Sequence, residues 1–284
     1  MWVTISTHLS ILQVNVHFKP TTDDKGLMTM KPNKMKAKIQ SGQPVLGVSV
    51  MFPSPQIVEM IGALGFDWVL IDCEHGTIDV ESVERLVTAA EVSGLTPIAR
   101  PPSKDPADIL RVLDRGAMGV QVPHVNTAED ARAVVEAVKY HPLGKRGLAA
   151  GTRPANYGIG LTAAEYVAQV NRETLVCVQL EEGEALSNIN AILKVEGIDV
   201  FFVGPSDLAQ SMGFPGRTDT PVVQQMIHAT LDAIAAAGKV PGSTGPDAVI
   251  GDYLKHGCRY VYTHIPRLLA SGATAFRAAT GLTD

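Results

Sequence analysis

From residue 45 onward one pattern recurs eight times: a short, nearly continuous apolar run, a turn, and an amphipathic stretch with helical spacing. The runs are 45–50 (VLGVSV), 67–72 (DWVLID), 96–100 (TPIAR), 118–123 (MGVQVP), 174–181 (TLVCVQLE), 199–204 (DVFFVG), 239–243 (KVPGS) and 259–264 (RYVYTH). Runs without polar alternation suit parallel strands covered on both faces. Between them, Ile57, Ile61 and Leu64 form one stripe of period 3.6. Val83, Leu86, Val87 and Ala90 form a second, Ala131, Val134, Val135 and Val138 a third, and Val223, Ile227, Leu231 and Ile234 a fourth. Helix starts are marked by Ser54-Pro55 and Asp105-Pro106, and by capping boxes at Thr127-x-x-Asp130 and Thr162-x-x-Glu165. Gly65, Gly94 and Gly257 stand where helices end. Strands alternating with helices imply a parallel sheet. Eight copies favour closure into a (β/α)8 barrel over an open doubly wound sheet, and no Gly-x-Gly-x-x-Gly follows the first strand. The predicted fold class is therefore α/β, a TIM barrel.

Composition removes several classes. The net charge of −5, with 45% hydrophobic and 19% charged residues, fits a soluble globular chain rather than a disordered one or a basic nucleic-acid binder. Cys73, Cys177 and Cys258 are odd in number, widely spaced and without a Cys-x-x-Cys pair, which predicts a reducing, cytoplasmic setting and no zinc ribbon. No apolar run approaches the roughly 18 residues of a membrane-spanning helix, and no membrane partner is expected. Trp2–Phe18 lacks the basic start and small-residue cleavage site of a signal peptide. Residues 1–34 read as an N-terminal extension, disordered or upstream of a true start at Met28, Met30 or Met35. Residues 35–284 read as a single barrel domain. Lys31, Lys34, Lys36 and Lys38 read as a solvated first helix, with an anionic-surface patch as the alternative.

In such barrels the active site lies at the C-terminal ends of the strands. Polar residues gather there: Asp72-Cys73-Glu74-His75 after strand two, Arg100 at strand three, Gln179-Leu180-Glu181 at strand five and Gly204-Pro205-Ser206-Asp207 at strand six. Glu181 and Asp207 each follow an apolar strand, where a bare carboxylate is costly. Together they suit one hard divalent cation; separately, each suits a helix cap. His75 has no His-x-x-x-His partner, which excludes a zincin and leaves a structural or a catalytic role. Asp114 ends a predicted helix, against the macrodipole, and so asks for a specific partner, with His75 a candidate. The Arg100 fork suits a carboxylate or developing oxyanion, or a salt bridge to Asp72 or Glu74. The Gly- and Pro-rich stretch Tyr140–Tyr157 is a long loop, either functional, an oligomer contact or an insertion. No Gly-x-Ser-x-Gly elbow or phosphate-binding loop is present. No lysine ends a strand as a Schiff-base aldolase needs, and Lys239 only starts one. The pattern points to a metal-stabilised enolate rather than an imine.

These motifs resemble the HpcH/HpaI aldolase family, the class II pyruvate-dependent aldolases that include 4-hydroxy-2-oxoheptanedioate and 2-dehydro-3-deoxyglucarate aldolases. The resemblance spans about residues 35–280 through GFDWVLIDCEHG (65–76), PIARPP (97–102), ILRVLDRGAMGVQVPHVNTAEDA (109–131), YHPLGKRG (140–147), VQLEEGEALSNINAILKVEGID (178–199) and VFFVGPSDLAQSMG (200–213). It implies a barrel of the phosphoenolpyruvate/pyruvate type, a homo-oligomer (hexamer or trimer) exchanging C-terminal helices, and Mg2+, Mn2+ or Co2+ as cofactor. It implies Glu181 and Asp207 as metal ligands, His75 as acid/base paired with Asp114, and Arg100 as stabiliser of the enolate oxygen. Gln179 would contact pyruvate, and backbone N–H groups around Ser206 and Asp207 would hold its carboxylate, with Asp72 and Glu74 completing the substrate site. The implied reaction is reversible cleavage of a 4-hydroxy-2-oxo acid to pyruvate and an aldehyde. Oxaloacetate decarboxylation through the same enolate is the alternative, and a non-catalytic oligomeric binding protein a third. The chain departs from the family pattern at Gly242-Ser243-Thr244 and at Thr263-His264-Ile265, which bears on the aldehyde partner.

Overall fold

The computed structural model describes residues 32–281. Eight parallel strands close in chain order into a barrel: β1 Val45–Val50, β2 Trp68–Asp72, β3 Thr96–Arg100, β4 Gly119–Val122, β5 Leu175–Leu180, β6 Val200–Val203, β7 Pro241–Thr244 and β8 Tyr260–His264. Closure is made by β1 and β8, with Val45 opposite Tyr260 and Ser49 opposite His264. The helices are α1 Lys34–Gln40, α2 Pro55–Ala63, α3 Val80–Val92, α4 Pro106–Asp114, α5 Ala128–Val138, α6 Ala163–Glu173, α7 Gly183–Ser187, α8 Ile189–Ile192, α9 Pro205–Ser211, α10 Pro221–Ala236, α11 Asp247–Lys255 and α12 Ile265–Thr280.

The four expected caps form. The Ser54, Asp105, Thr127 and Thr162 side chains each accept a first-turn N–H, the two Thr residues complete capping boxes, and Asp79 adds a cap for α3 that the sequence pattern did not mark. Strand β7 starts two residues later than the sequence pattern suggests. Gly238 turns left-handed and the Lys239 N–H bonds to Ile234, so Lys239 still belongs to the end of α10. The stretch 183–193 forms two short helices, broken at Asn188.

Two cores are divided by strand periodicity. One face of the strands packs on the helices, for example Val69, Ile71, Val178 and Phe201. The other fills the barrel: Val45, Trp68, Leu70, Ile98, Leu175, Cys177, Val200, Phe202, Tyr260 and Tyr262. Trp68 lies 4.2 Å, centroid to centroid, from Tyr260, and Phe202 stacks on Tyr262 at 5.3 Å. A Cβ at Gly47 would sit 2.2 Å from the Trp68 ring, so only glycine passes there.

Helix α1 closes the barrel's N-terminal end with Met35 and Ile39. Asn33 caps it and ties it down, donating to the Met118 carbonyl at 3.1 Å and the Glu173 carbonyl at 3.0 Å. Asn33 is thereby fastened to the barrel; expectations about residues 1–31 lie outside the described residues. Lys36 is buried against Asp199 at 3.1 Å, and Lys38 pairs with Asp67 at 2.6 Å. Those two lysines are fastenings for α1 rather than a solvated or anion-binding face.

Candidate active site

Continuing the inward register of each strand leads to the site. Trp68 and Leu70 are followed by Asp72; Thr96 and Ile98 by Arg100; Leu175 and Cys177 by Gln179 and Glu181. Period-two geometry therefore stacks apolar layers at the closed end of the lumen and a polar layer at its open end. Gln121 enters that layer from β4 and Tyr260 reaches it from β8.

The layer is a continuous buried network. Arg100 binds Asp72 through both arms of its fork, Nε to Oδ1 at 2.9 Å and Nη2 to Oδ2 at 2.5 Å. Asp72 Oδ1 also accepts the backbone N–H groups of Glu74 and His75. Burial alone would push the Asp72 carboxyl up, but the Arg100 hydrogen bonds and charge hold it below its ordinary value. The Arg100 Nε lies 3.2 Å from Glu74 Oε2, while Nη1 has only a long 3.5 Å contact with Gln179 Oε1. Both salt bridges anticipated for Arg100 thus form, and Nη1 keeps donor capacity toward the lumen. Gln121 donates to Gln179 Oε1, and the Tyr260 hydroxyl donates to Gln121 Oε1 at 2.9 Å.

Glu181 is 2% exposed. Its Oε2 accepts from Gln179 Nε2 at 2.7 Å and its Oε1 from the His124 backbone N–H at 2.9 Å. Neither strand-end acid caps a helix: Glu182 precedes α7, and Gly204 is the N-cap of α9, with Asp207 in its first turn. Burial raises the Glu181 carboxyl above its ordinary range, and the Asp207 negative charge adds to the rise. Two carboxylates close enough for the Asp207 charge to be felt at Glu181 offer an all-oxygen donor set suited to a hard divalent cation, with water or substrate completing the shell. Glu181 depends on Gly204: a Cβ there would lie 2.8 Å from Glu181 Oε2.

Two histidines stand at the mouth. His75 Nε2 is 3.5 Å from Glu74 Oε2, and His124 Nε2 is 3.2 Å from Glu74 Oε1. His124 has φ +55 and also places Nδ1 2.8 Å from Glu182 Oε1. Burial alone would lower the His124 imidazole, but its contacts with Glu182, Glu181 and Glu74 raise it. His264, in the inward register at the end of β8, is pushed down by burial and by the nearby Arg267 and Arg100 charges.

The expected pairing of His75 with Asp114 does not form within the chain. Helix α4 runs back along the barrel, so Asp114 lies at the opposite end from His75, where it accepts from Arg146 Nη2 at 2.7 Å. The Tyr140–Tyr157 stretch lies at that same end, with Arg153 Nη2 2.5 Å from Glu91 Oε2. Asp72, Glu74, Arg100, Gln179 and Glu181 are brought together, with Asp207 close enough for its charge to reach Glu181, Ser206 beside it in the first turn of α9, and His75 at the rim. Sequence reasoning missed Gln121, His124 and Tyr260. Gln121 carries a usable signal, a polar side chain in the inward register of an apolar strand. His124 has none beyond its place after β4.

A parallel barrel with carboxylates, an arginine and histidines gathered at its strand ends has the polar layer where barrel enzymes place their active sites. The profile of the HpcH/HpaI aldolase/citrate lyase family matches residues 47–256. The 4-hydroxy-2-oxo-heptane-1,7-dioate aldolase of Salmonella arizonae is 37% identical over 251 residues, covering 88% of this chain and 95% of its own. An HpcH/HpaI aldolase/citrate lyase family protein from Burkholderia cenocepacia superposes with a TM-score of 0.81 at 28% identity, over 87% of this chain and 99% of that one. The citrate lyase beta subunit of M. tuberculosis, complexed with oxaloacetate and magnesium, shares the fold at 14% identity and a TM-score of 0.52, over 82% and 94% of the two chains. The chain belongs to the HpcH/HpaI aldolase/citrate lyase family, and it is an aldolase-type lyase.

Proposed function

We propose that this lyase cleaves a 4-hydroxy-2-oxo acid reversibly into pyruvate and an aldehyde, with the strand-end network as its catalytic centre. The observation that carries this reading is Glu181, a carboxylate buried at the mouth of the lumen, within reach of the Asp207 charge, and raised above its ordinary value by burial. Glu181 and Asp207 would hold a divalent cation, Mg2+, Mn2+ or Co2+, which when bound supplies Lewis-acid polarisation worth several kcal/mol. Magnesium in the distant citrate lyase neighbour supports divalent metal use in this fold.

This chain's residues do the rest. Arg100, fixed by Asp72 and Glu74, turns its Nη1 donor toward the oxygen on C2. His75 accepts the proton of the C4 hydroxyl; the C3–C4 bond breaks, the aldehyde leaves, and the bonding pair moves into the enolate of pyruvate. Returning a proton to C3 completes the cycle. Gln179, held between Gln121 and Glu181, contacts the oxo acid. The first-turn N–H groups of α9 around Ser206 receive its carboxylate, since Gly204 offers no capping side chain. With Asp114 seated at the far end, we propose that it serves His75 from a second copy of the chain, in a homo-oligomer, hexamer or trimer. Three free cysteines fit a cytoplasmic location, and among the described residues no helix is long and apolar enough to cross a membrane.

Purified protein with Mn2+ is expected to release pyruvate from a panel of 4-hydroxy-2-oxo acids, and EDTA to stop it. Retained turnover in thoroughly chelated protein overturns the reading. The oxaloacetate held by the same neighbour favours a second reading, decarboxylation through the same enolate. Relative kcat/KM on oxaloacetate and on the hydroxy-oxo acids decides between them.

A further inference from the structure

Away from the strand ends, on the outer surface of the barrel, two helices that flank β7 each carry a histidine and an aspartate one turn apart. Helix α10 has His228 and Asp232; the end of α11 has Asp252, with His256 as its C-cap. Spacing of four residues puts each pair on one helical face. The order is reversed between the helices, so that each histidine meets the other helix's aspartate. His228 Nε2 lies 3.2 Å from Asp252 Oδ2, and His256 Nδ1 lies 2.8 Å from Asp232 Oδ1. The two imidazoles are stacked, 4.3 Å between centroids and 8° from parallel.

Among the described residues, His228, Asp252 and His256 form a group whose ligating atoms all lie within 4.8 Å of one another. His228 Nε2 is shut off from solvent and makes no hydrogen bond, with Asp252 Oδ2 at 3.2 Å as its charge partner. Asp252 is half-open, its other oxygen 3.6 Å from Lys255 Nζ, which leaves an approach from solution. Two imidazoles and one carboxylate are the donor set of a borderline transition cation such as Zn2+, unlike the oxygen-only set at the strand ends. We infer that His228, Asp252 and His256 form a second, structural metal site for a Zn2+-like cation, clipping α10 to α11. Asp232 is its positioning residue: a carboxylate on His256 Nδ1 fixes the tautomer and orients the ring so that Nε2 faces the site.

The inference is independent of the proposed reaction, and its test keeps them apart. In Glu181→Gln protein, where the strand-end pair is disabled, ZnCl2 titrated by calorimetry should bind one ion per chain. Adding His228→Gln or His256→Gln should abolish that binding, and adding Asp232→Asn should weaken it about 10–100-fold. Cu2+ bound to the same Glu181→Gln protein should give an electron paramagnetic resonance spectrum with coupling from two imidazole nitrogens. In the otherwise native chain, His228→Gln and His256→Gln should retain Mn2+-dependent turnover, which also reports that they fold. No Zn2+ bound to the Glu181→Gln protein, or binding unchanged by both histidine substitutions, overturns the inference.

Discussion

Asp72 and Arg100 are both buried, 0% and 6% exposed, and Arg100 is the one cation paired with Asp72, while Arg100 also touches Glu74. Removing one charge strands the other, so Asp72→Asn should destabilise the fold by about 3–5 kcal/mol, read as a lowered urea midpoint. The Asp72 carboxyl sits below its ordinary 3.8 when folded. Its contribution is therefore complete above about pH 4 and is lost as the pH falls through the lowered value. Acid unfolding followed by circular dichroism should show that loss in the native chain and not in Asp72→Asn. Glu181 has the opposite sign: burial disfavours its charge, so a cation relieves it. Glu181→Gln should abolish Mn2+ binding in calorimetry without lowering the thermal midpoint of the metal-free protein. Asp72, Arg100, Gln179, Glu181 and Asp207 were legible because a charged or polar residue closing an apolar strand has few other places to go. The His228–Asp232 and Asp252–His256 pairs were not, because each is ordinary on its own helix. Their meaning comes only from two helices separated in the chain lying side by side.

Elements place those side chains by register and by close approach. Gly204 ends β6 and carries Glu181 against its backbone. Gly204→Ala should keep the barrel folded, at a cost of about 1–3 kcal/mol from overpacking. It should also cut Mn2+-dependent turnover at least tenfold by displacing the carboxylate. A Glu181→Asp change in the same background, one methylene shorter, should recover part of it. Strand positions were readable to within a residue or two where apolar runs ended on charges, as at β2 and β3. They were less so at β7, where the α10 terminus extends through Gly238 and Lys239 before pairing begins. The break at Asn188 between α7 and α8 was hidden because Gly183–Leu193 keeps helical spacing on both sides of it.

For the whole molecule, eight repeats were enough to predict closure, although pairing of β1 with β8 joins residues over two hundred positions apart. One residue of the expected site, Asp114, is not brought to it within the chain. Held by Arg146 at the closed end of the barrel, it is on the wrong side of its own site. Co-expression of His75→Asn and Asp114→Asn chains, each inactive alone, should restore turnover in mixed oligomers; no recovery would remove Asp114 from the reaction. The central claim is that the strand-end network stabilises the enolate of pyruvate, whatever aldehyde it is joined to. Solvent deuterium exchange into the methyl group of pyruvate, followed by NMR with Mn2+ or Mg2+ present, tests it most directly. Rapid exchange that disappears on chelation and in Glu181→Gln is the predicted result. No exchange with metal present, or exchange that survives chelation and Glu181→Gln alike, would contradict it.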